Sequence, residues 1–233
     1  MILAHGGTQR MKKLFIIANW KSNKTIQDSE KWLTSFKEEL DSTPIDLSGK
    51  EIIVCPSFPS LNCLQSLSKK INLPVRVGAQ NISLFDAGAY TGEVNALQIR
   101  ELADYAIIGH SERRTNFNES AETVSHKADV ARKYGIIPIV CIQDEETQIP
   151  EKISIVAYEP PTAIGTGNPD TPENAGEIAR KIKMENKAQF VLYGGSVTSE
   201  NVKSFSDNEN IDGFLVGGAS LDPLEFLQII KNA

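Results

Sequence analysis

Two side chains in this sequence have the chemistry to move a proton, and each stands at the end of a short apolar run. Glu159 follows the run Ile155–Tyr158, where a carboxylate is costly to desolvate, and His110 closes another such run. Glu159 is also the kind of residue that caps a loop or pairs with an arginine, and His110 taken alone is more typical of a core histidine bonded to the backbone. The other two histidines, His5 and His126, are weaker candidates.

A lysine and an asparagine, Lys21 and Asn19, stand at the end of the first apolar run. Taken singly, the lysine is typical of a solvated charge and the asparagine of a turn. A carboxylate such as Glu159 removes a carbon-bound proton next to a carbonyl only where the resulting enediolate is stabilised. Lys21, Asn19 and His110 supply the cation and the hydrogen-bond donors for that stabilisation. The set predicts proton transfer beside a carbonyl group.

Two glycine pairs follow the last two apolar runs: Gly194-Gly195, which precedes Ser196, and Gly217-Gly218. Each pair alone is also typical of a tight turn. Main-chain amides with no side chain in front of them approach an anion closely, and Gly165-Thr166-Gly167 adds a third run of such amides. These amides and the Ser196 hydroxyl predict a phosphate site. The sequence has no Rossmann, Walker, HExxH or GxSxG motif, so we expect chemistry without a cofactor or a metal.

Eight apolar runs recur along the chain and predict eight strands. Because they are nearly continuous rather than alternating, they favour strands covered on both faces, as in a parallel sheet. The runs are Leu14–Trp20, Glu51–Pro56, Val75–Gln80, Tyr105–His110, Ile136–Ile142, Ile153–Pro160, Gln189–Gly195 and Ile211–Gly218.

Helical patterns lie between most of these runs, and seven are visible: residues 32–40, 61–67, 96–103, 119–134, 172–184, 199–205 and 223–230. The alternation fits either a closed (β/α)8 barrel or an open doubly wound sheet, and eight units in about 220 residues favour the barrel. In a barrel, reactive groups project from the carboxyl ends of the strands, and a phosphate site commonly lies after strands seven and eight. The candidate residues stand at those positions.

The interval between strands five and six is short. Only 16 residues separate Cys141 from Tyr158, which leaves no room for a full helix with its two loops. We therefore expect the fifth helix to be shortened or absent, with apolar flanks exposed there for a neighbouring chain to cover. Met1–Arg10 has no periodicity and is predicted to be a disordered or vestigial tail, so that residues 11–233 form a single barrel domain.

The composition excludes several classes of protein. The chain has 24 basic and 30 acidic residues, a formal net charge of -6 and no basic block, which argues against a nucleic-acid surface. Neither a membrane span nor a signal peptide is apparent, so we expect a cytoplasmic protein. The cysteines Cys55, Cys63 and Cys141 lack the spacing of metal or redox sites and are predicted to be reduced packing residues.

Six short motifs resemble the triosephosphate isomerase family. They are Asn19-Trp20-Lys21-Ser22-Asn23, Gly109-His110-Ser111-Glu112-Arg113-Arg114, Ala157-Tyr158-Glu159-Pro160, Ala163-Ile164-Gly165-Thr166-Gly167, Tyr193-Gly194-Gly195-Ser196-Val197 and Gly217-Gly218-Ala219-Ser220. The match runs in order from about Lys13 to the C-terminus, and several of the motifs are specific to that family. The resemblance implies a TIM barrel that interconverts dihydroxyacetone phosphate and D-glyceraldehyde 3-phosphate in glycolysis and gluconeogenesis.

The resemblance also implies roles for the reactive groups. Glu159 is the base that carries a proton between adjacent carbons. His110 is a neutral electrophile, and its protonated form is disfavoured by the start of the helix that follows at Ser111. Lys21 and Asn19 hold the developing oxyanion.

Further residues have binding or supporting roles by the same resemblance. Glu112 tethers Lys21, and Tyr193 latches a lid, Pro160–Gly167, whose closure excludes water. The phosphate is bound by Gly165, Gly217, Gly218 and Ser196.

The fourteen residues Gln80–Glu93 resemble the family's dimer loop. A loop of this length on a barrel is uncommon unless it binds something. The resemblance implies a homodimer in which Thr91 lies close to the partner subunit's Asn19 and the partner subunit's Lys21.

The chain departs from the family pattern at two places. Thr162 stands where the lid hinge usually has a tryptophan, and Gln143-Asp144 stands where the family usually has Gly-Glu. The two changes are expected to be linked. Two other functions are considered: another cofactor-free sugar-phosphate barrel enzyme, which would not need His110 together with Glu159, and a non-catalytic phosphate-binding barrel, which would be expected to have lost a catalytic group.

Overall fold

A computed structural model describes residues 12–163 and 167–233 of the chain. In those residues eight parallel strands form a closed barrel, in which each strand pairs with the next and β8 returns to β1. The strands are β1 Leu14–Asn19, β2 Lys50–Cys55, β3 Arg76–Ala79, β4 Tyr105–Ile108, β5 Ile137–Ile142, β6 Ile155–Tyr158, β7 Phe190–Tyr193 and β8 Gly213–Val216. The predicted barrel is confirmed, and the open doubly wound alternative is wrong.

Helices surround the barrel. In the described residues they are α1 Ile26–Ser42, α2 Leu61–Lys70, α3 Ala96–Arg100, α4 Ser111–Phe117, α5 Ala121–Lys133, α6 Pro172–Asn186, α7 Val202–Ser206 and α8 Pro223–Asn232, with short 3₁₀ turns at Phe58–Ser60 and Gly218–Leu221. All seven helices predicted from periodicity are present. The additional one, α4, is the helix that the family resemblance placed after His110.

Side chains alternate across the strands and build two layers of core, as the two-residue period of a strand requires. One layer fills the barrel and comprises Phe15, Ile17, Ile53, Cys55, Tyr105, Ile107, Ile139, Cys141, Ile155, Ala157, Leu192 and Leu215. The intervening strand residues face outward and pack on the helices in a second, larger cluster. Both faces of each strand are therefore covered, which explains the continuous apolar runs of the sequence.

The connection between β5 and β6 contains no helix in residues 143–154, as predicted. The expectation of exposed apolar flanks is wrong for the strands, however. The outward-facing side chains Val140, Ile142 and Val156 are at most 1% exposed. They belong to the outer core cluster, against which Ile149 of the connection itself packs. The chain thus covers the strand flanks of the gap itself, whereas Met184 of α6 is 69% exposed.

The register of the strands places their carboxyl ends at one level. Ile142 pairs with Tyr158, and Tyr158 pairs with Tyr193. The next residue after β7, Gly194, donates its amide proton to the carbonyl oxygen of Tyr158 at 2.7 Å. The residues that follow these strands, including Glu159, therefore meet at one mouth of the barrel.

Two sequence predictions concern other parts of the chain. The predicted tail Met1–Arg10 lies outside the described residues. Among the described helices, none combines the length and the apolar character that crossing a bilayer requires.

Candidate active site

A cavity of about 250 Å³ opens at the carboxyl ends of the strands. It is lined by most of the side chains and glycines predicted from the sequence, among them Asn19, Lys21, His110, Glu159, Gly194, Gly195, Ser196, Gly217 and Gly218. Val197, Thr198 and Leu215, which sequence reasoning did not single out, complete the wall. Gly165 lies outside the described residues. The structure therefore brings the predicted carboxylate, imidazole, ammonium and glycine amides to one place.

The carboxylate and the imidazole at this site touch each other. Glu159 is 1% exposed and His110 is 5% exposed, and Nε2 of His110 lies 2.8 Å from Oε1 of Glu159. The other carboxylate oxygen, Oε2, accepts a hydrogen bond from the main-chain amide of Ser111 at 2.9 Å. Ser111 is the first residue of α4, so this amide lies at the positive end of the helix dipole. A buried carboxylate is thus held by two donors, as its burial requires.

His110 is the N-cap of α4, and its Nδ1 accepts a hydrogen bond from the amide of Glu112 at 3.2 Å. Burial lowers the pKa of His110, but the charge of Glu159, the hydrogen bond to it and the charge of Glu112 together raise that pKa above its ordinary value. In a doubly protonated ring the N–H at Nδ1 would face the main-chain N–H of Glu112, and two donors cannot form a hydrogen bond with each other. The raised pKa runs against the expectation that the protonated form is disfavoured, but the hydrogen bonds agree with that expectation. The neutral tautomer with the proton on Nε2 satisfies both contacts, because it donates to Glu159 and accepts from Glu112.

Lys21 is fixed at both its ends. Its Nζ lies 2.6 Å from Oε1 of Glu112, which agrees with the tether predicted from the resemblance. Its main-chain amide donates to Oδ1 of Asn19 at 3.1 Å. Its φ of 53° is in the left-handed region, where a residue with a Cβ is strained by about 1–2 kcal/mol and stays only if its surroundings hold it.

Gly194 allows Glu159 to occupy its place. A Cβ at Gly194 would lie 2.9 Å from Cγ of Glu159 and 3.2 Å from the carbonyl oxygen of Tyr158. Both distances are shorter than ordinary contacts, so only a glycine lets β7 pass this close to the carboxylate. This glycine therefore has a packing role that is separate from any contact of its amide with an anion.

The segment that follows Glu159 is tied to β7. The hydroxyl of Ser196 donates to the carbonyl oxygen of Ala163 at 2.7 Å, so this predicted phosphate ligand already has a partner. Oη of Tyr193 accepts from the amide of Asp170 at 2.8 Å, three residues beyond Gly167. Tyr193 is 1% exposed and its ring stacks on Phe205 at 4.3 Å. Its position is in keeping with the predicted latch, although residues 164–166 of the predicted lid lie outside the described residues.

Two cysteines lie beneath the cavity. Cys55 and Cys141 are both fully buried free thiols, and Cys63 is free and half-buried. Burial raises the pKa of the Cys141 thiol well above its ordinary value, and the charge of Glu159 together with a hydrogen bond to it raises it further. Cys141 thus stays protonated and packs against the carboxylate, a contact that its place in an apolar run did not predict.

The dimer-loop residue of the sequence prediction lies on the surface. Thr91 is exposed, and the stacked rings of Phe85 and Tyr90, 4.2 Å apart, are partly exposed in the same loop. The weaker histidine candidate His126 is exposed on α5, away from the cavity lining. Among residues 12–163 and 167–233, no group of three or more His, Cys, Asp or Glu side chains is arranged to hold a metal ion.

Gln80 is a site residue that sequence reasoning missed. It follows β3 directly, and its side-chain amide donates to the carbonyl oxygens of Lys21 and Cys55. The rule that polar groups just past strand ends in a barrel carry function would have identified it. The sequence analysis gave it no role in the site and used it only as the end of the third apolar run and the start of the long loop.

Comparison with known proteins gives one consistent result. Residues 14–233 match the sequence model of a family described as triosephosphate isomerase. Curated relatives have the same name. The relative from Mesomycoplasma hyopneumoniae strain 232 is 39% identical, over 96% of this chain and 100% of its own length. The relative from Dehalococcoides mccartyi strain CBDB1 is 36% identical, over 96% of this chain and 97% of its own length. The relative from Aquifex aeolicus is 38% identical over 95% of this chain and 100% of its own.

Proposed function

The chain belongs to the triosephosphate isomerase family, and we propose that it interconverts dihydroxyacetone phosphate and D-glyceraldehyde 3-phosphate in the cavity at the carboxyl ends of its strands. It is an aldose-ketose isomerase, an intramolecular oxidoreductase. The observation that carries the assignment of residues is the 2.8 Å contact between Glu159 and His110 at the wall of a cavity that glycine amides complete. The reaction belongs to glycolysis and gluconeogenesis, and we place the enzyme in the cytoplasm.

Glu159 is the base in this proposal. It removes a proton from C1 of dihydroxyacetone phosphate, the C–H electrons form a C1–C2 double bond, and the C2 carbonyl oxygen takes up the negative charge. The same carboxyl group returns the proton to C2, and the C1 oxygen becomes the aldehyde oxygen. Glu159 is buried, so the proton transfer takes place with little water around the carboxylate.

His110 and Lys21 stabilise the charge that forms. When substrate is bound, its oxygens replace Glu159 as the acceptor of the Nε2 proton of neutral His110. The ring donates this proton to one substrate oxygen and recovers a proton from the other, so that the net transfer between the oxygens balances. Lys21 and Asn19 line the same cavity and add a cation and an amide donor. Donors fixed before the reaction starts stabilise the enediolate without a cost of reorientation.

The phosphate group binds at the glycine side of the cavity. Gly217 and Gly218 line it, and a Cβ at Gly218 would have nothing within 4 Å, which leaves room for a large anion in front of these amides. Gly165 and the Ser196 hydroxyl belong to the same proposed binding set. Binding the phosphate there fixes the carbon skeleton against Glu159, and positioning of this kind lowers the barrier for the proton transfer.

The test is a coupled dehydrogenase assay with dihydroxyacetone phosphate on the wild type and on Glu159→Asp. The shorter side chain withdraws the carboxylate by about 1.5 Å, and a misplacement near 1 Å costs about 100-fold in rate. The control is Glu122→Asp, the same shortening on an exposed residue in the first turn of α5, which we expect to leave kcat unchanged. A wild type without isomerase activity would overturn the function, and an unchanged kcat for Glu159→Asp would overturn the base assignment.

We also propose that the enzyme is a homodimer. Beside Lys21 a second cavity, of about 300 Å³, is lined by Phe58, Asn81, Arg113 and Phe117, and Phe117 is 65% exposed. The Thr91 loop, with its exposed aromatic pair, has the composition to fill such a cavity in a second copy of the chain.

Light scattering after size exclusion tests the dimer directly. We expect a mass of twice 25.6 kDa, and Thr91→Glu is expected to shift the protein to the monomer because it buries a charge in the interface. A wild type that stays monomeric at micromolar concentration would contradict the dimer.

A further inference from the structure

Gln80 connects three strand ends through one side-chain amide. It follows β3, and its Nε2 donates to the carbonyl oxygen of Lys21 at 2.8 Å and to that of Cys55 at 2.9 Å. Cys55 ends β2, and Lys21 stands two residues beyond β1. An NH₂ group has two protons to donate, so both are used on main-chain acceptors, and no other described side chain makes this pair of contacts.

The carbonyl that Gln80 holds belongs to the strained residue of the site. Lys21 has a φ of 53°, whereas its neighbour Trp20 is tied to β2 by its own amide, which donates to Cys55 at 3.1 Å. The direction of the Lys21 side chain depends on this backbone conformation. A left-handed conformation at a residue with a Cβ persists only where neighbouring groups fix it, and Gln80 is such a group.

The residue that follows Gln80 is held by a buried ion pair. This residue, Asn81, accepts from Nζ of Lys127 at 2.7 Å, and Lys127 is paired with Glu119. Both side chains of that pair are 5% exposed. Arg113 of α4 also donates to Glu119, at 2.6 Å. These contacts fix the backbone after β3 against α4 and α5, and so they fix the position of Gln80.

We infer that Gln80 is a positioning residue for the isomerisation: its amide holds the Lys21 backbone so that the ammonium group points into the cavity. This inference rests on the proposed function, because it assigns Lys21 to the substrate. A purely structural strut would lower the stability of the fold and leave the kinetics of the folded enzyme unchanged. A positioning residue changes substrate affinity and rate in a protein that is still folded.

Two substitutions separate the donor from the shape of the side chain. Gln80→Met has a similar length and no donor, and we expect kcat/KM to fall at least tenfold, with a rise in KM because Lys21 also binds the substrate anion before reaction. Gln80→Glu is isosteric but places a carboxylate against two carbonyl oxygens at pH 8. Below its pKa the protonated acid again donates to one of them. For Gln80→Glu, the ratio of variant to wild-type kcat/KM should therefore rise as the pH is lowered from 8 to 5.5.

Other charges face the same region, so each variant is compared with the wild type at every pH. They are Lys21, His110, Glu112 and Arg113, all of which line the cavity beside Gln80. The ratio for Gln80→Met should not change with pH, because methionine has no proton to gain. The matched control is Gln65→Glu, which makes the same change at a glutamine on α2 that donates to the carbonyl oxygen of Glu101 at 2.9 Å, away from the site. We expect its kinetics to equal those of the wild type.

Binding of phosphoglycolate, measured by calorimetry, gives a readout that does not need turnover. We expect Gln80→Met to weaken it at least tenfold, with a circular dichroism spectrum like that of the wild type. The inference is overturned if a folded Gln80→Met keeps both kcat/KM and phosphoglycolate affinity within twofold, or if the ratios of Gln80→Met and Gln80→Glu depend on pH in the same way. An inactive wild type would overturn the proposed function and, with it, a role of Gln80 in isomerisation. The phosphoglycolate measurement would still decide separately whether Gln80 positions Lys21 to bind an anion.

Discussion

The contact between Gly194 and Glu159 gives a prediction whose size follows from the coordinates. In Gly194→Ala the new Cβ would lie 2.9 Å from Cγ of Glu159, whereas non-bonded carbons are ordinarily about 3.5–4.0 Å apart. One of the two must therefore move by about 0.6 Å or more. The nearby carbonyl oxygen of Tyr158, at 3.2 Å from the same Cβ, prevents β7 from taking up the whole shift.

The displaced carboxylate should slow the proton transfer. Because a misplacement near 1 Å costs about 100-fold, we expect kcat of Gly194→Ala to fall by about 10- to 100-fold, which corresponds to about 1.4–2.7 kcal/mol in the barrier. The φ of Gly194 is not in the left-handed region, so alanine adds no backbone strain of its own. The measurement is the coupled assay at saturating substrate, with a thermal melt to establish that the variant is folded.

Two results would contradict a displacement of Glu159 as the cause of the slower proton transfer. A folded Gly194→Ala with wild-type kcat would show that the close approach of β7 does not set the position of Glu159. A fall in kcat/KM that lies wholly in KM would show that the substitution blocks the cavity instead of moving the base.

Further predictions concern stability. Burial raises the pKa of Glu119, but hydrogen bonds from Lys127 and Arg113 outweigh burial and hold that pKa below its ordinary value. The ionised carboxylate therefore stabilises the fold fully at a pH above the pKa that Glu119 has in the unfolded chain. This stabilisation is lost as the pH falls through the pKa of Glu119 in the folded protein. Glu119→Gln should therefore destabilise the protein by about 3 kcal/mol at pH 7 and by less at pH 4, as urea melts would measure; equal losses at both would contradict it. Burial raises the pKa of Tyr193 to about 12, and it also raises the pKa values of Tyr105 and Tyr158. These neutral phenols stabilise the fold at a pH below the tyrosine pKa of the unfolded chain, which is near 10, and the stabilisation is lost as the pH rises through their pKa values in the folded protein. The absorbance change of these phenols at 295 nm should therefore coincide with the loss of circular dichroism. Ionisation of all tyrosines before unfolding would refute this prediction.

Much of the architecture was predictable because each strand is covered on both faces. The apolar runs predicted all eight strands, and the polar residues at the ends of the runs included Asn19, His110 and Glu159. The absence of a helix between β5 and β6 followed from the length of that interval alone. These predictions depend on local patterns, which a sequence shows directly.

The contacts between strands were not predictable in the same way. No periodicity indicates that Gln80 reaches Lys21, that Cys141 packs against Glu159, or that the β5–β6 connection covers its own apolar flanks. Each of these depends on how far two chain segments of distant sequence approach each other. The hydrogen bond from the Ser196 hydroxyl to the carbonyl oxygen of Ala163 also joins segments distant in sequence, and the sequence predicted only its phosphate role.

The connection between β5 and β6 sets a limit on how this chain can vary. Parallel strands need a crossover of about a dozen residues or more, and residues 143–154 are close to that minimum. Deletions there would pull β6 out of line with β5 and displace Glu159 at its end. Insertions face no such barrier, since lengthening a surface loop costs little entropy. The segment is therefore a place where this barrel can accept a new peptide or domain, but not one where it can lose residues.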